Sequence, residues 1–373
     1  MNKTFQLFQL VTQCLTLDKH PEFADDIRKR FGLGEIDRER FIQLASNHFV
    51  LPAVWHNLKN AKLTDWFTEE YRVHLDELLL LNEQRNTEIL EQINEISKAL
   101  ANESIEPVYM KGIGNLLAGL YSYPGERMIG DIDFLVQEED YLKTADFLMD
   151  MGYENQWQSW SSFKEMKHYP RLFRSDVPAD VEIHRVAVRS EYSKRFSTSL
   201  LFQHKISPSK SQNTFIPSNA HRLIHTFIHS QLSNQGHKFY TPGLRDLYDA
   251  WLLSQQVHWR EVLEQIEEKE KARVFFEYME YLFSPEQNLS TLTNKATLKY
   301  IRRHCWFMDH PRWHRLYIRG YKLYELLFIR YLKRIFRALF NKKDLCYIFN
   351  RLKDPAWYGK HFKGIREQIF GKK

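Results

Sequence analysis

The sequence has few cysteines and no long apolar run. Its 373 residues include only three cysteines, Cys14, Cys305 and Cys346, which lie far apart and lack the spacing of metal ligands. This pattern argues against a disulfide framework and against a zinc site built on cysteines. No stretch approaches the roughly 18 consecutive apolar residues of a membrane span, and the first residues mix Gln and Thr with apolar side chains, unlike a signal peptide. We therefore expect a cytoplasmic protein.

Excess positive charge is absent from most of the chain and concentrated at one end. From residue 301 onward the sequence contains 19 Lys or Arg and five Asp or Glu, a net charge of +14. Because the whole chain carries +6, the first 300 residues carry −8. A basic tail at residues 301–373 on a mildly acidic body predicts an anionic partner for the tail.

One segment of this tail has the pattern of an amphipathic helix. Its basic face consists of Arg330, Lys333, Arg334 and Arg337, and its apolar face consists of Phe328, Leu332, Ile335 and Leu339. Three interpretations remain open. The apolar face packs on the rest of the protein, or the helix lies at an anionic membrane surface, or the tail binds RNA. The second interpretation would place the protein at the periphery of a membrane.

Hydrophobic periodicity divides the chain into four regions. They are an N-terminal helical region at 1–100, a mixed α/β core at 101–215, a helical region at 216–283 and the basic aromatic tail at 299–373, after a polar linker at 284–298. The order of these regions predicts an α+β fold. In it a small mixed sheet with flanking helices lies between an N-terminal and a C-terminal helical region.

Short strands and helices alternate in the predicted core. Strands are expected at 105–110, 128–136, 167–174 and 179–186, and helices at 113–121 and 139–151, the second ending at Gly152. Upstream, Ile89, Ile93, Ile96 and Leu100 form one apolar helix face, which is interrupted by Arg85 and Asn82 when it is extended backward. The interruption indicates either a helix that bends out of the core or a polar stretch bordering a cleft.

Two carboxylates occupy the same face of a predicted strand. Asp131 and Asp133 are two residues apart among apolar neighbours, so their side chains point the same way. Glu182 lies on another apolar strand, and if the two strands are neighbours it adds a third acid. Close carboxylates repel one another unless a cation intervenes, and oxygen ligands of this kind suit Mg²⁺ or Mn²⁺. Such a site supports in-line displacement at a phosphorus atom.

The setting of the pair is what makes it a candidate site. Acid-x-acid pairs are common, and Glu35/Asp37 and Glu138/Asp140 are expected to be solvated surface pairs. Asp131 and Asp133 instead lie in an otherwise apolar strand, where an acid is costly without a cation or a partner.

Three segments carry a family resemblance. They are the run VYMKGIGNLLAGLYSYPGERMIGDIDFLV, a helix ending in MGYE, and ADVEIH. Together they resemble the "nucleotidyltransferase family" proteins of bacterial gene clusters, which belong to the DNA polymerase β-like nucleotidyltransferase superfamily. The resemblance covers roughly residues 40–255. It includes the upstream helix with Arg85 and Asn86, and the downstream helices with His229 and with the segment 245–249.

The resemblance implies roles for specific residues. Asp131 and Asp133 are similar in position to the metal-binding pair, and Glu182 to the third carboxylate, which assists deprotonation of the acceptor hydroxyl. Lys111-Gly112 is similar to the turn before the first core helix, where the superfamily normally has Gly-Ser or Gly-Gly. The serine that usually contacts phosphate is absent. We expect backbone N–H groups at the helix N-terminus, together with Lys111 or Arg127, to take over that contact.

Other side chains have both a functional and a structural interpretation. Arg127 is expected either to neutralise triphosphate charge or to form an ion pair with the nearby acids. Arg85 is a candidate for nucleotide binding. His184 and His229 are candidates for orienting the acceptor, although a strand histidine also commonly bonds within its sheet. His221, His225 and His229 share a helix face, but packing is more typical of this pattern than metal binding.

The leading functional prediction is a nucleotidyltransferase. It would move a nucleoside monophosphate from an NTP to a hydroxyl on a small molecule, a protein or a cell-surface precursor, with Mg²⁺ or Mn²⁺ as cofactor. The alternative is a catalytically weak nucleotidyltransferase-like protein that binds or regulates a partner in a biosynthetic or toxin–antitoxin operon. The missing serine is the feature that favours this alternative.

Overall fold

The computed structural model describes residues 3–155, 166–208, 213–284, 289–290 and 292–370. The chain forms two compact units, Met1–Arg302 and Arg303–Lys373. The predicted linker at 284–298 lies partly outside the described residues, because 285–288 and 291 are not among them. The division into four regions stays a prediction.

Helices account for most of the described residues. In the first unit they are α1 (Lys3–Leu15), α2 (Phe23–Gly32), α3 (Arg38–Asn47), α4 (Leu51–Asn60), α5 (Glu69–Asn102), α6 (Lys111–Leu117), α7 (Tyr141–Asp150), α8 (Thr198–Gln203), α9 (Asn219–Phe227), α10 (Gly236–Phe239), α11 (Leu244–Ser254), α12 (Trp259–Val262) and α13 (Lys269–Phe283). The helix α14 (Lys295–Asp309) contains the boundary between the units, and α15 (Pro311–Tyr324), α16 (Lys333–Ala338), α17 (Lys342–Leu352) and α18 (Pro355–Phe370) follow it. Two π-helical segments, Ile228–Ser233 and Glu325–Leu332, follow α9 and α15.

A mixed five-stranded sheet lies in the middle of the first unit. Its strands are β1 (Val108–Tyr109), β2 (Asp131–Leu135), β3 (Glu154–Asn155), β4 (Leu172–Phe173) and β5 (Asp180–His184), in the order β1-β2-β5-β4-β3. Only β2 and β5 are parallel, and the other pairs are antiparallel. A separate two-stranded sheet contains β6 (Lys205–Ile206) and β7 (Ile216–Pro217). The predicted α+β fold, with a small mixed sheet and flanking helices, is confirmed.

The long helix α5 supports the sheet through its apolar face. Thr68 caps its N-terminus by accepting a hydrogen bond from the Tyr71 amide. The negative charges of Glu69 and Glu70 in the first turn stabilise the helix by interacting with the positive end of its dipole. The predicted face of Ile89, Ile93, Ile96 and Leu100 is almost fully buried. Next to it, the Ser97 hydroxyl and the Tyr109 hydroxyl of β1 are 2.8 Å apart, which links the helix to the sheet.

Apolar alternation fixes the orientation of the central strands. Ile132 and Phe134 of β2 and Val181 and Ile183 of β5 are fully buried. Because strand side chains alternate between faces, this burial directs Asp131, Asp133 and Glu182 to the opposite face. The helix after β2 ends as predicted, with Gly152 in the left-handed region at φ +90°.

The second unit consists of helices whose described side chains are mainly exposed. Phe307, Leu326 and Ala338 are its buried apolar residues among those described. Among the described residues of the whole chain, none of the helices has both the length and the apolar character to cross a membrane.

Candidate active site

The parallel pairing of β2 and β5 brings the three predicted acids together. Asp133 pairs with Glu182 in the strand register, and Asp131 pairs with Asp180. Asp131, Asp133 and Glu182 all line one cavity of about 330 Å³. The predicted three-acid cluster required the strands of Asp133 and Glu182 to be neighbours, and β2 and β5 are paired in the sheet.

Asp133 is the most buried of these acids, with 2% of its surface exposed. The Lys111 ammonium donates to its Oδ1 at 2.5 Å, and Nε2 of His184 lies 2.7 Å from the same oxygen. Burial opposes ionisation, but Lys111 and His184 outweigh it and hold the pKa of Asp133 well below its usual range. For Lys111, burial opposes the charged form, but attraction to Asp133 raises the pKa. The carboxylate and the ammonium are therefore both charged at neutral pH.

Asp131 and Glu182 share a second cation, Arg171. Its guanidinium donates to Oδ2 of Asp131 at 2.7 Å and to Oε1 of Glu182 at 2.9 Å. The His184 ring, with Nε2 3.7 Å from Oε2 of Glu182, and then the hydrogen bond from Arg171 lower the pKa of Glu182 to about 2. Burial, followed by repulsion from Asp133, raises the pKa of Asp131. The two strand acids closest to each other in sequence thus differ in how readily they ionise.

The Lys111-Gly112 turn places the first of these cations. Lys111 has a φ of +56°, a left-handed conformation that costs a residue with a side chain about 1 to 2 kcal/mol. Gly112 follows where a Cβ would lie 3.0 Å from Cδ1 of Ile129 and 3.1 Å from a terminal nitrogen of Arg127. The turn is therefore strained at the lysine and crowded at the glycine, and it directs the Lys111 ammonium to Asp133.

Arg127 is committed to a different acid from those predicted. Its Nε and one terminal nitrogen donate to the Asp249 carboxylate of α11 at 2.8–3.2 Å, and its other terminal nitrogen donates to the Met128 carbonyl. Burial opposes the charge of Arg127, but Asp249 outweighs it and raises the pKa. The expected ion pair with Asp131 or Asp133 is not the one formed. Arg127 lines the cavity as part of a buried pair that joins α11 to the segment before β2.

The polar residues of α5 form hydrogen bonds to the segment before β2. Asn82 donates to the Gly125 carbonyl at 2.6 Å, and Asn86 donates to the carbonyls of Pro124 and Arg127 at 2.7 and 2.8 Å. Arg85 donates to the carbonyls of Ile129 and Pro178 at 2.5 and 3.0 Å. The interruption in the apolar face therefore orders the backbone that leads into β2. The side chain of Arg85 is not among those lining the cavity.

Two histidines, His225 and His229, also line the cavity. His225 lies near the end of α9 and His229 lies in the π-helical segment that follows, with their ring centroids 6.2 Å apart. Burial lowers the pKa of His229 to about 3 and that of His225 well below its usual value, so both rings are neutral. Nε2 of His225 is buried and has no hydrogen-bond partner among the described residues. The cavity lining therefore includes two neutral imidazoles beside its charged groups.

The donor atoms around Asp133 are compatible with a metal ion. Asp133, Glu182 and His184 each offer one ligand atom, and these atoms lie within 4.8 Å of one another. The set contains two carboxylates and one imidazole, so His184 stands in it where the predicted set has Asp131. Hard oxygen donors suit Mg²⁺ and Mn²⁺, whereas imidazole is a ligand that also suits zinc or iron.

The structure gathers most of the predicted site residues and leaves two of them outside the cavity wall. Lys111, Gly112, Arg127, Asp131, Asp133, Glu182 and His229 line the cavity, whereas Arg85 and His184 do not. Sequence reasoning missed Arg171. The register of the predicted hairpin was the available signal: Leu172 pairs with Val181, so Arg171 lies opposite Glu182.

Comparison with known proteins identifies a family. A family model described as "Uncharacterised nucleotidyltransferase" matches residues 34–284. This segment contains every residue that lines the cavity and none of residues 303–373. None of the curated proteins matches the chain.

Proposed function

The chain belongs to a family of uncharacterised nucleotidyltransferases, and from this premise we propose that it transfers a nucleoside monophosphate from an NTP to a hydroxyl-bearing acceptor, with a divalent cation as cofactor. The observation that carries the proposal is the convergence of Asp131, Asp133 and Glu182 on one cavity from two parallel strands. Three acids at such close range need positive charge between them.

The residues around the acids fit a divalent cation. Lys111 and Arg171 supply positive charge at the carboxylates, and Lys111 touches the most buried of them. Because Lys111 and Arg171 already place positive charge at these carboxylates, we infer that the position favours a cation. We propose that Asp133 and Glu182 hold Mg²⁺ or Mn²⁺ together with Asp131, and that His184 either ligates the ion or orients Asp133. The bound ion would neutralise phosphate oxygens and polarise the phosphorus for attack.

We assign phosphate binding to the basic side chains that border the cavity. With a metal ion held by Asp133 and Asp131, Lys111 and Arg171 would be able to donate to phosphate oxygens. Arg245, half-buried on the cavity wall, adds a third cation. Arg127 is held by Asp249, so we assign it to keeping the cavity in shape. Because Arg85 donates to backbone carbonyls, we assign it to positioning the strand.

We assign His229 to the position beside the acceptor's attacking hydroxyl. Its ring is neutral, so one of its nitrogens can accept a hydrogen bond from the attacking hydroxyl. Glu182 remains ionised down to about pH 2 and can accept from the same hydroxyl. The attacking oxygen forms a bond to the α-phosphorus as the bond to the pyrophosphate oxygen breaks, and the hydroxyl proton leaves to an acceptor beside it.

A transfer assay tests the proposal. Each NTP, labelled at the α-phosphate, is incubated with the protein and Mg²⁺ or Mn²⁺, and labelled products are separated from NTP. We expect metal-dependent release of pyrophosphate and a loss of at least about a hundredfold in Asp133→Asn. Glu139→Gln, an exposed acid just after the same strand, is the matched control and retains activity. Full activity in Asp133→Asn, or none in the wild type with any NTP, refutes the enzymatic proposal.

Pulsed EPR separates the two roles of His184. With Mn²⁺ bound to the wild type, a nitrogen coupling that disappears in His184→Gln identifies the imidazole as a ligand. If His184 only orients Asp133, Mn²⁺ binding persists in His184→Gln without any change in nitrogen coupling.

A binding or regulatory role is the second candidate, and a specific observation favours it. All three acids already have cationic partners within the chain, and a fully paired site is stable without a metal. In that case the protein would bind a partner protein and show no metal-dependent affinity for nucleotides. Calorimetry with NTP, in the presence and absence of Mg²⁺, distinguishes the two candidates.

A further inference from the structure

Exposed apolar side chains distinguish residues 303–373, hereafter the basic unit. Sixteen large hydrophobic residues described in this unit are exposed, compared with eight among the described residues before it. Soluble proteins seldom leave large apolar patches in water, and such surface commonly marks a site of interaction. The basic unit therefore has the composition of a docking surface.

The predicted apolar stripe is among the exposed groups. Phe328, Leu332, Ile335 and Leu339 are 53%, 51%, 52% and 70% exposed. They lie in the π-helical segment Glu325–Leu332, in α16 and directly after it. Phe340, immediately after Leu339, is 80% exposed.

Charge identifies the kind of partner. Residues 303–373 contain 18 Lys or Arg and five Asp or Glu, a net charge of +13. The exposed cations include Arg312, Arg315, Lys342, Lys353 and Lys363. A surface that is both apolar and strongly basic is complementary to a partner that is apolar beneath an anionic face. Bilayers that contain anionic lipids have this arrangement.

We propose that the basic unit binds an anionic membrane surface. Aliphatic side chains decide between a membrane and RNA. Half of the sixteen exposed residues are Leu or Ile, which have no ring to stack on a base, but which enter the acyl region of a bilayer. Exposed Trp306 and Trp313 are the side-chain type enriched at membrane interfaces. The proposal is independent of nucleotidyl transfer.

Vesicle co-sedimentation of the full-length chain tests it. The probes are vesicles of phosphatidylcholine alone and vesicles of equimolar phosphatidylcholine and phosphatidylglycerol. We expect binding to the anionic vesicles at least about tenfold tighter than to the neutral ones, and weaker binding at high salt. Leu339→Glu combined with Phe340→Glu should weaken binding by about tenfold or more, because the two changes remove apolar contacts and add negative charge.

The control replaces equally exposed residues outside the basic unit. Leu33 and Val73 are 62% and 57% exposed, and Leu33→Glu with Val73→Glu should leave vesicle binding unchanged. Equal binding to neutral and anionic vesicles, or equal losses in both double variants, overturns the proposal. Tight binding to single-stranded RNA without vesicle binding also overturns it, in favour of a nucleic-acid partner. Circular dichroism of each variant shows that a loss of binding is not a loss of fold.

Discussion

The first 302 residues and residues 303–373 differ in how far their apolar side chains are buried. In the first unit, side chains such as Trp55, Tyr109 and Phe134 are almost fully buried. In the second, buried apolar residues among those described are Phe307, Leu326 and Ala338, and most of the large ones are exposed. The burial of apolar surface is the main force that stabilises a fold, so the first unit has the stronger core.

The two units also differ in what their charges contact. In the first unit the charged groups at the cavity have defined partners, as in Lys111–Asp133 and Arg127–Asp249. In the second, cations outnumber acids by more than three to one. The family match ends before the second unit begins. We therefore propose that the family's chemistry belongs to the first unit and that the second contributes a binding surface.

Large-to-small substitutions give the largest expected contrast. Phe134→Ala removes a fully buried ring from β2 and should lower the free energy of unfolding by about 3 to 5 kcal/mol. Phe340→Ala removes a ring that is 80% exposed and should change it by less than about 0.5 kcal/mol. Chemical denaturation measures both. Similar losses in the two variants would contradict the contrast between the units.

Breaking the buried ion pair comes next. Asp249→Ala leaves Arg127 buried without its carboxylate and should cost about 3 kcal/mol or more. Glu69→Ala, which breaks the exposed pair with Arg72, should cost less than about 1 kcal/mol. Thermal unfolding of the two variants provides the comparison. If Asp249→Ala is as mild as Glu69→Ala, Arg127 is not held as we describe.

The polar contacts of α5 should have a smaller effect. Asn86→Ala leaves the carbonyls of Pro124 and Arg127 without this donor and should cost about 2 kcal/mol. Thr87→Ala, at the next and exposed position of the helix, should change stability by less than about 0.5 kcal/mol. If Asn86→Ala also lowers metal affinity while remaining folded, the loop it holds is part of the site's support.

Acid should weaken the first unit slightly through His48. Burial lowers the pKa of His48 to about 4, from about 6.5 when it is exposed. Between these values the unfolded chain binds the proton and the folded chain does not, so stability falls as the pH drops from about 6.5 to about 4. We expect a loss of about 2 kcal/mol at pH 5, reduced in His48→Asn. Unfolding curves with identical pH dependence for both proteins would contradict this assignment.

Local patterns predicted the parts of the site that depend on strand alternation. Asp131, Asp133 and Glu182 share a cavity because apolar alternation in β2 and β5 leaves their face of the sheet to polar groups. Helices were also predicted at 113–121 and 139–151. The first lies at Lys111–Leu117 and so includes the Lys111-Gly112 turn, and the second, Tyr141–Asp150, ends before the left-handed Gly152. The α+β fold followed from the order of these elements.

Contacts between distant segments could not be predicted in the same way. Asp249 lies 122 residues from Arg127, and no local pattern pairs them. Arg85 was a candidate for nucleotide binding, but its guanidinium donates to the backbone carbonyls of Ile129 and Pro178. Strand order alone did not reveal that His184 would reach Asp133, because the side-chain distance depends on the parallel register.

Calorimetric titration of a non-hydrolysable NTP, with and without Mg²⁺, measures whether the acids of β2 and β5 bind nucleotide through a metal ion. We predict saturable binding in the wild type that requires Mg²⁺ and is lost in Asp133→Asn, whereas Glu139→Gln should bind like the wild type. Nucleotide binding that is equally strong without the metal, or that survives in Asp133→Asn, would contradict the claim that the acids of β2 and β5 form a metal-dependent nucleotide site.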